Sequence, residues 1–302
     1  MVHLNVGENT KEYELYENAD YRSFWLGVQQ KKLDELEQIL VKRMLHLPAK
    51  RLIDLGCGYG RLLDCYQSQC EEIILLDSSA SLLQQAYQRS SGHIICIRSS
   101  ILQTPFIDAI FDQVLMVRVF HHLPDSKAAM SELSRILTDG GNLLISYCNK
   151  KNLERIGRWL IGKNPYNPFR YETSWVWEVF FMHHPHYVHD LLKESGFDRY
   201  TEKGTGVIDK IAGKLGDLGK ELPPGVAIAG LMAYFEWAPW IFCDAHKSGQ
   251  TPKLTDLPFE KTIRCIRCHS SLIGSKEGYR CLSCGQLYPF KDGVFDFILS
   301  DL

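Results

Sequence analysis

The stretch Asp54-Leu55-Gly56-Cys57-Gly58-Tyr59-Gly60 constrains this chain more than any other. It follows the apolar run RLIDL, which reads as a short buried strand. Three glycines at alternate positions let the backbone turn tightly and come close to a ligand with no Cβ in the way. A dinucleotide fold wants G-x-G-x-x-G, so that a pyrophosphate rests on a helix N-terminus. Here the last place of that pattern is Arg61, and the pattern is instead D-x-G-x-G-x-G. An acid ahead of the glycines is ill placed beside a pyrophosphate and suits a ligand with a positively charged amine.

The flanking pattern predicts an α/β fold. Residues 10–47 hold a long helical stretch with Leu33, Leu36, Ile39, Leu40 and Leu47 near helical spacing, ended by Pro48. RLLDCYQSQ reads as the helix after the first strand. IILLD is a second strand, and SASLLQQAYQRS is a second helix with serines suited to capping it. IICIRSS, FDQVLMV and NLLISYC are three more strands, with a helix closed by Asp139-Gly140-Gly141 before the last of them. Alternation of this kind implies a Rossmann-like, doubly wound, mostly parallel sheet with helices on both faces. From about 150 to 187 the chain is rich in aromatics and proline and reads as an inserted cap. YVHDLLKESGF and DRYTEKG are a helix and a strand. Residues 204–225 read as a mobile loop, followed by an apolar helix, a last strand and a linker near 246–258. The expected domains are 1–250, cap included, and 259–302.

Composition narrows the setting. With 45% hydrophobic and 23% charged residues the chain is an ordinary globular one, and its net charge of −2 exerts no global pull toward nucleic acid or anionic membrane. No apolar run is long enough to span a membrane. The polar, acidic start lacks the features of a secretory signal, so a cytoplasmic location is expected. Six of the ten cysteines are scattered and read as small buried hydrophobes.

The acid Asp77 lies about twenty residues beyond the glycines, at the tip of the second strand, where a carboxylate accepts hydrogen bonds from both hydroxyls of a ribose. Taken alone it reads more readily as a helix cap. With RLIDLGCGYG, IILLDSS, TPFIDAIFDQVLMVRVFHHL and LSRILTDGGNLLISY in order, segment 51–147 resembles the S-adenosylmethionine-dependent methyltransferases of the domain-11, small-molecule type.

The resemblance implies roles for particular positions. Gly56, Gly58 and Gly60 line the methionine and ribose of S-adenosylmethionine, and Asp54 orients its amine through backbone or water. Asp77 binds the ribose, and Ser78 flanks the adenine. The family's acid toward the adenine amino group is replaced by Ser100, with Ile101 next, and a serine oxygen accepts that bond more weakly. Val117 and Arg118 fall beside the methyl donor. Arg118 either orients an anionic substrate or pairs with an acid of the N-terminal helix. His122 matches a position that holds the loop, and His121 is a candidate general base or a structural histidine. Trp175, Trp177, Phe180 and Phe181 are expected to wall an apolar pocket, and Tyr16, Tyr21 and Trp25 to fold over the cofactor. The cluster His183, His184, His186 and His189 is read as structural, since no carboxylate or cysteine set accompanies it.

At the far end, Cys265-x-x-Cys268 and Cys281-x-x-Cys284 have the spacing of a structural zinc site, in which four thiolates close a tetrahedron. The short gap suits a zinc ribbon, and the alternative is a reduced dithiol pair. CLSCGQLYPFKDGVFDFIL resembles the small zinc-ribbon proteins that activate certain RNA and protein methyltransferases, through the paired cysteines and Tyr288, Pro289, Asp292 and Gly293. The module lies far in sequence from the glycine turn, so its loss is expected to leave cofactor binding intact. The expected function is an S-adenosylmethionine-dependent methyltransferase acting on a small molecule. The alternatives are an RNA or protein methyltransferase using the ribbon for docking, and a cofactor-binding scaffold without catalysis. The place where RNA amino-group methyltransferases often carry Asn/Asp-Pro-Pro-aromatic reads VRVFHHLP, which favours the small molecule.

Overall fold

The apolar runs become the strands of one sheet. The structure, a computed structural model, describes residues 22–90, 94–177, 180–205, 234–250 and 254–299. The strands β1 (Ala49–Leu55), β2 (Cys70–Asp77), β3 (Ile94–Arg98), β4 (Phe111–Met116) and β5 (Leu137–Cys148) are mutually parallel in the order β3-β2-β1-β4-β5. After the cap hairpin β6 (Ser174–Trp177) and β7 (Phe180–Met182), β8 (Phe197–Thr205) and β9 (Trp240–Lys247) extend the β5 edge antiparallel, as β5-β9-β8. The chain winds outward from β1 to β3 and then returns to β4 on the other side of β1. The crevice beyond the C-terminal ends of β1 and β4 is therefore the switch point where open α/β sheets bind ligands.

Both faces are covered, and the central strands are accordingly buried along almost their whole length. On one face α1 (Val28–Met44) supplies Leu40, Val41 and Met44, and α2 (Ala80–Arg89) supplies Leu83 and Ala86. On the other, α3 (Ser126–Ile136) brings Ala129, Met130, Leu133 and Ile136. It shares that face with Val188, Leu191 and Leu192 of a later helix, Pro185–Glu194. Ser79 caps α2 by accepting from the Leu82 N–H, and Asp125 caps α3 by accepting from the Ala128 N–H.

Two expectations are corrected, and two further segments show structure that their composition did not announce. RLLDCYQSQ forms only tight turns with a single 3-10 turn at Leu63–Cys65. Gly60 is left-handed and β2 begins at Cys70, so the chain must reverse within a few residues, and i→i+3 bonds such as Leu63 N to Gly60 O do this. Asp139-Gly140-Gly141 lies inside β5 rather than closing α3, and Leu137 already pairs with Phe111. The end of the linker segment is packed: Leu254 N–H reaches Ala109 O, and Arg51 Nη2 donates to Leu257 O at 2.5 Å. The cap contains a helix, α4 (Leu153–Leu160), that its mixed composition hid. The helix Pro185–Glu194 is thus α5. The loop at 206–225, most of the apolar helix after it, and Tyr16 and Tyr21 lie outside the described residues.

The C-terminal segment joins the sheet. Strands β10 (Leu272–Ser275), β11 (Gly278–Cys281), β12 (Leu287–Lys291) and β13 (Val294–Asp296) form an antiparallel ribbon whose last strand runs parallel to β3. Val294, Phe295 and Asp296 stand opposite Cys96, Ile97 and Arg98. Phe259, Ile263, Tyr288 and Phe297 pack into the same core as α3 and β4. The ribbon, distant in sequence from the glycine turn, is thus bonded to the strand adjoining β2.

Candidate functional site

Three glycines at the end of β1 adopt left-handed backbone, with φ of 69° at Gly56, 55° at Gly58 and 73° at Gly60. Side chains are disfavoured there on conformation alone. Space adds to this at Gly56, where a Cβ would lie 2.3 Å from a Val119 methyl carbon. That close approach also brings the glycine turn against the segment leaving β4.

Asp77, 8% exposed at the tip of β2, accepts the Gly58 N–H at 2.8 Å and the Ser79 N–H at 2.9 Å. The acid and the turn therefore form one unit across the β1–β2 boundary. Ser78 follows, its carbonyl accepting from Arg98 Nε at 2.9 Å. Ser100 and Ile101 lie in the turn after β3, where the Ser100 hydroxyl accepts the Leu102 N–H at 3.2 Å. Val117 is buried just past β4. The sequence-predicted cofactor residues thus gather at the C-terminal ends of β1 to β4.

Asp54 is buried under this turn and accepts from the Tyr66 hydroxyl at 2.7 Å. Burial pushes its carboxyl up to about 7, against the lowering effects of that hydrogen bond and of Arg61.

Arg118 takes the second of its two readings. Its Nε donates to Glu37 Oε1 at 2.9 Å, Nη2 reaches the same oxygen, and its guanidinium lies 3.6 Å from the centre of the Trp240 ring. Its own backbone is left-handed at φ 64°, with the N–H held by Ser146 Oγ at 2.8 Å. Glu37 is fully buried and also receives Arg61 Nη2 at 3.1 Å, while Asp34 takes Arg61 Nη1 at 2.5 Å. Arg61 lies 4.2 Å from the Trp25 ring centre. The helix α1 is thereby fastened to both the glycine turn and the end of β4. The sequence reading missed Glu37, whose one signal is an acid set between the apolar positions Leu36, Ile39 and Leu40.

His121 is 4% exposed in the turn after β4, its ring 4.7 Å from Phe180, 4.8 Å from Trp240 and 4.0 Å from His122. Burial, His122 and Arg118 hold it well below the usual histidine range, so it is neutral. Its Nδ1 is buried without a hydrogen-bond partner among the described residues. In the cap, His189 pairs with Glu202 at 3.0 Å and His186 with Glu236 at 3.2 Å, while burial lowers His183 and His184 to about 4.

The second cluster is Cys265, Cys268, Cys281 and Cys284, whose sulfurs all lie within 4.8 Å of one another. Cys265 and Cys284 Sγ are 3.6 Å apart, and Cys268 and Cys281 Sγ are 3.4 Å apart. Zinc–sulfur bonds of about 2.3 Å in a tetrahedron separate sulfurs by about 3.8 Å, so this set fits that ion closely. The Tyr288 hydroxyl lies 3.1 Å from Cys265 Sγ and accepts the Ile266 N–H at 3.2 Å, tying the first knuckle to β12.

Strand order, glycine turn and strand-tip acid together define the methyltransferase class of α/β fold. Residues 53–145, from β1 into β5, match the methyltransferase domain family. A methyltransferase-named protein of Encephalitozoon cuniculi is 32% identical over 48% of this chain and 60% of its own length. The malonyl-[acyl-carrier protein] O-methyltransferase of Serratia marcescens is 30% identical over 36% of this chain and 43% of its own. The chain covers less than two thirds of the length of each. Among solved structures, an S-adenosylmethionine-dependent methyltransferase of Thermotoga maritima superposes with a TM-score of 0.53 at 16% identity, over 78% of this chain and 100% of that one. A chain from the complex of the Haloferax volcanii Trm112 methyltransferase activator with a methyltransferase gives 0.50 at 14% identity, over 76% and 99%. These likenesses establish the fold.

Proposed function

We propose that this protein is an S-adenosylmethionine-dependent methyltransferase that acts on a small molecule. The observation that carries the reading is the Gly58–Asp77 unit, a left-handed glycine turn locked to a strand-tip carboxylate at the switch point of the sheet. Within it Gly56, Gly58 and Gly60 leave room for the ligand backbone, Asp77 offers carboxylate oxygens to a ribose, and Ser78, Ser100 and Ile101 flank an adenine. Asp54 sits beneath the turn as the counter-charge to an amine. When bound, the cofactor supplies an electrophilic methyl on a sulfonium. The protein's own task is alignment of the acceptor along the axis of displacement. Phe180, Trp240 and His121 bound the acceptor side near Val117, and neutral His121 serves there as a hydrogen-bond acceptor for a hydroxyl or amine.

The arginine at the end of β4 is committed to Glu37, which removes it as an anchor for an anionic substrate and supports a neutral acceptor. The ribbon is proposed to be a structural zinc module comprising residues 259–302, appended to a catalytic domain of residues 1–250. Its last strand β13 is spent on β3, which favours internal support over docking of RNA or protein. None of the ten cysteines is disulfide-bonded, and a reducing, cytoplasmic setting is proposed. Among the described residues no helix is long and apolar enough to cross a membrane. The test is calorimetric titration with S-adenosylhomocysteine. Binding is expected, and preference for NAD would overturn the reading.

A further inference from the structure

The cap helix α4, sequence LERIGRWL, buries none of its residues, although its apolar side chains are well segregated. Leu153, Ile156 and Leu160 fall on one side by helical spacing, with Glu154 and Arg158 on the other. The apolar surface continues past its end: Leu160 is 70% exposed, Ile161 65% and Phe169 49%. An amphipathic helix normally forms because its apolar face is buried against a core, and among the described residues no core covers this one.

The helix and the loop after it are rich in cations: residues 153–171 hold Arg155, Arg158, Lys163 and Arg170 against the acid Glu154, in a chain whose net charge is −2. None of these four cations forms an ion pair among the described residues. The neighbouring cations differ, since Lys150 donates to Glu172 O and Lys151 pairs with Glu236.

We propose that α4 and the loop following it dock on an anionic lipid surface. Exposed aliphatic and aromatic side chains ringed by arginine and lysine are the recipe of an interfacial helix: the apolar groups enter the boundary between headgroups and acyl chains, and the cations meet anionic headgroups. Tyr166 and Tyr171, both exposed, have the amphipathic rings suited to headgroup depth. Nucleic acid fits the charge but not the aliphatic surface, because Leu160 and Ile161 offer neither stacking nor hydrogen bonds to bases. The proposal does not depend on the methyltransferase reading.

Sedimentation with vesicles tests it. The full chain is expected to pellet with phosphatidylcholine vesicles containing phosphatidylglycerol, to stay in solution with phosphatidylcholine alone, and to be released by high salt. Leu160→Glu combined with Ile161→Glu should abolish pelleting with an unchanged circular dichroism spectrum and melting temperature. Arg158→Gln and Lys163→Gln should each weaken partitioning by about five-fold, the effect of one cation near such a surface. Wild-type protein that ignores the anionic vesicles would overturn the proposal, as would a double variant that pellets undiminished. Binding of single-stranded RNA without vesicle binding would assign the surface to nucleic acid instead. A double variant that melts early, with a wild type that does not pellet, would show that the chain itself covers this face and would equally overturn it.

Discussion

Asp296 of β13 stands opposite Arg98 of β3, its carboxylate 3.0 Å from Nη1, while Nε of the same guanidinium holds the Ser78 carbonyl at 2.9 Å. One side chain thus links the cysteine ribbon to the loop leaving Asp77. Asp296→Ala is therefore expected to weaken S-adenosylhomocysteine binding several-fold while zinc content stays unchanged, and Asp296→Glu to recover part of the loss. Calorimetry and metal analysis on the same preparations check it. Unaltered affinity in Asp296→Ala would leave the ribbon as a support for the sheet only.

Asp77→Ala removes a carboxylate that orders the Gly58 and Ser79 N–H groups as well as facing the expected ribose. Hydrogen bonds to charged groups contribute about 1.5–3 kcal/mol, so binding of S-adenosylhomocysteine should fall by that amount. Calorimetry on a variant with native circular dichroism is the measurement, and unchanged binding would remove Asp77 from the site.

Asp54 gives a pH signature. Its carboxyl is raised to about 7 by burial, so the empty protein holds a proton there below that pH. A bound ammonium favours the ionised form, so binding expels this proton. Affinity for S-adenosylhomocysteine should therefore rise as pH increases toward about 7 and level off above it. The same shift makes the folded empty protein lose stability as pH rises through the interval from the ordinary carboxylate range to about 7, because only the folded state is protonated there. Asp54→Asn should abolish both dependences, as titrations across pH and urea melts will show.

Glu37 carries the packing of α1 onto the site. It is fully buried between Arg61 and Arg118, and breaking a buried pair by removing one partner costs about 3–5 kcal/mol. Glu37→Gln should lower stability by that order in urea unfolding, with Asp34 retaining part of the hold on Arg61. A change below about 1 kcal/mol would mean the two arginines are solvated rather than paired.

The sheet and the glycine turn were legible because they are local. Strand runs such as IILLD, the left-handed glycines and the acid at Asp77 each announce themselves within a few residues. What stayed hidden depends on contacts between distant segments. RLLDCYQSQ has helical composition, but the distance it must cover between Gly60 and Cys70 dictates turns. Arg118 could not be assigned without knowing that Glu37 lies within reach. The β13–β3 pairing is invisible for the same reason: CLSCGQLYPFKDGVFDFIL looks self-contained, and nothing in it states which strand its last residues extend.

The last prediction concerns the metal. Four cysteine sulfurs within 4.8 Å fit a tetrahedral ion, and all four positions are thiolates, so a zinc held there has no open site for water and serves structure. Purified protein should contain about one zinc per chain. Removal by a strong chelator, or Cys281→Ser, should loosen β10 to β12, since the ribbon's knuckles have few apolar residues to replace the metal. Because β13 is bonded to β3 and packs on the core through Phe297, the damage should also reach the cofactor turn, and S-adenosylhomocysteine affinity should fall together with zinc content. Metal content by mass spectrometry and affinity by calorimetry give the two readings. A zinc-free protein with a fully folded ribbon would sink the structural metal. Zinc loss with untouched affinity would keep the metal but confine its influence to the ribbon.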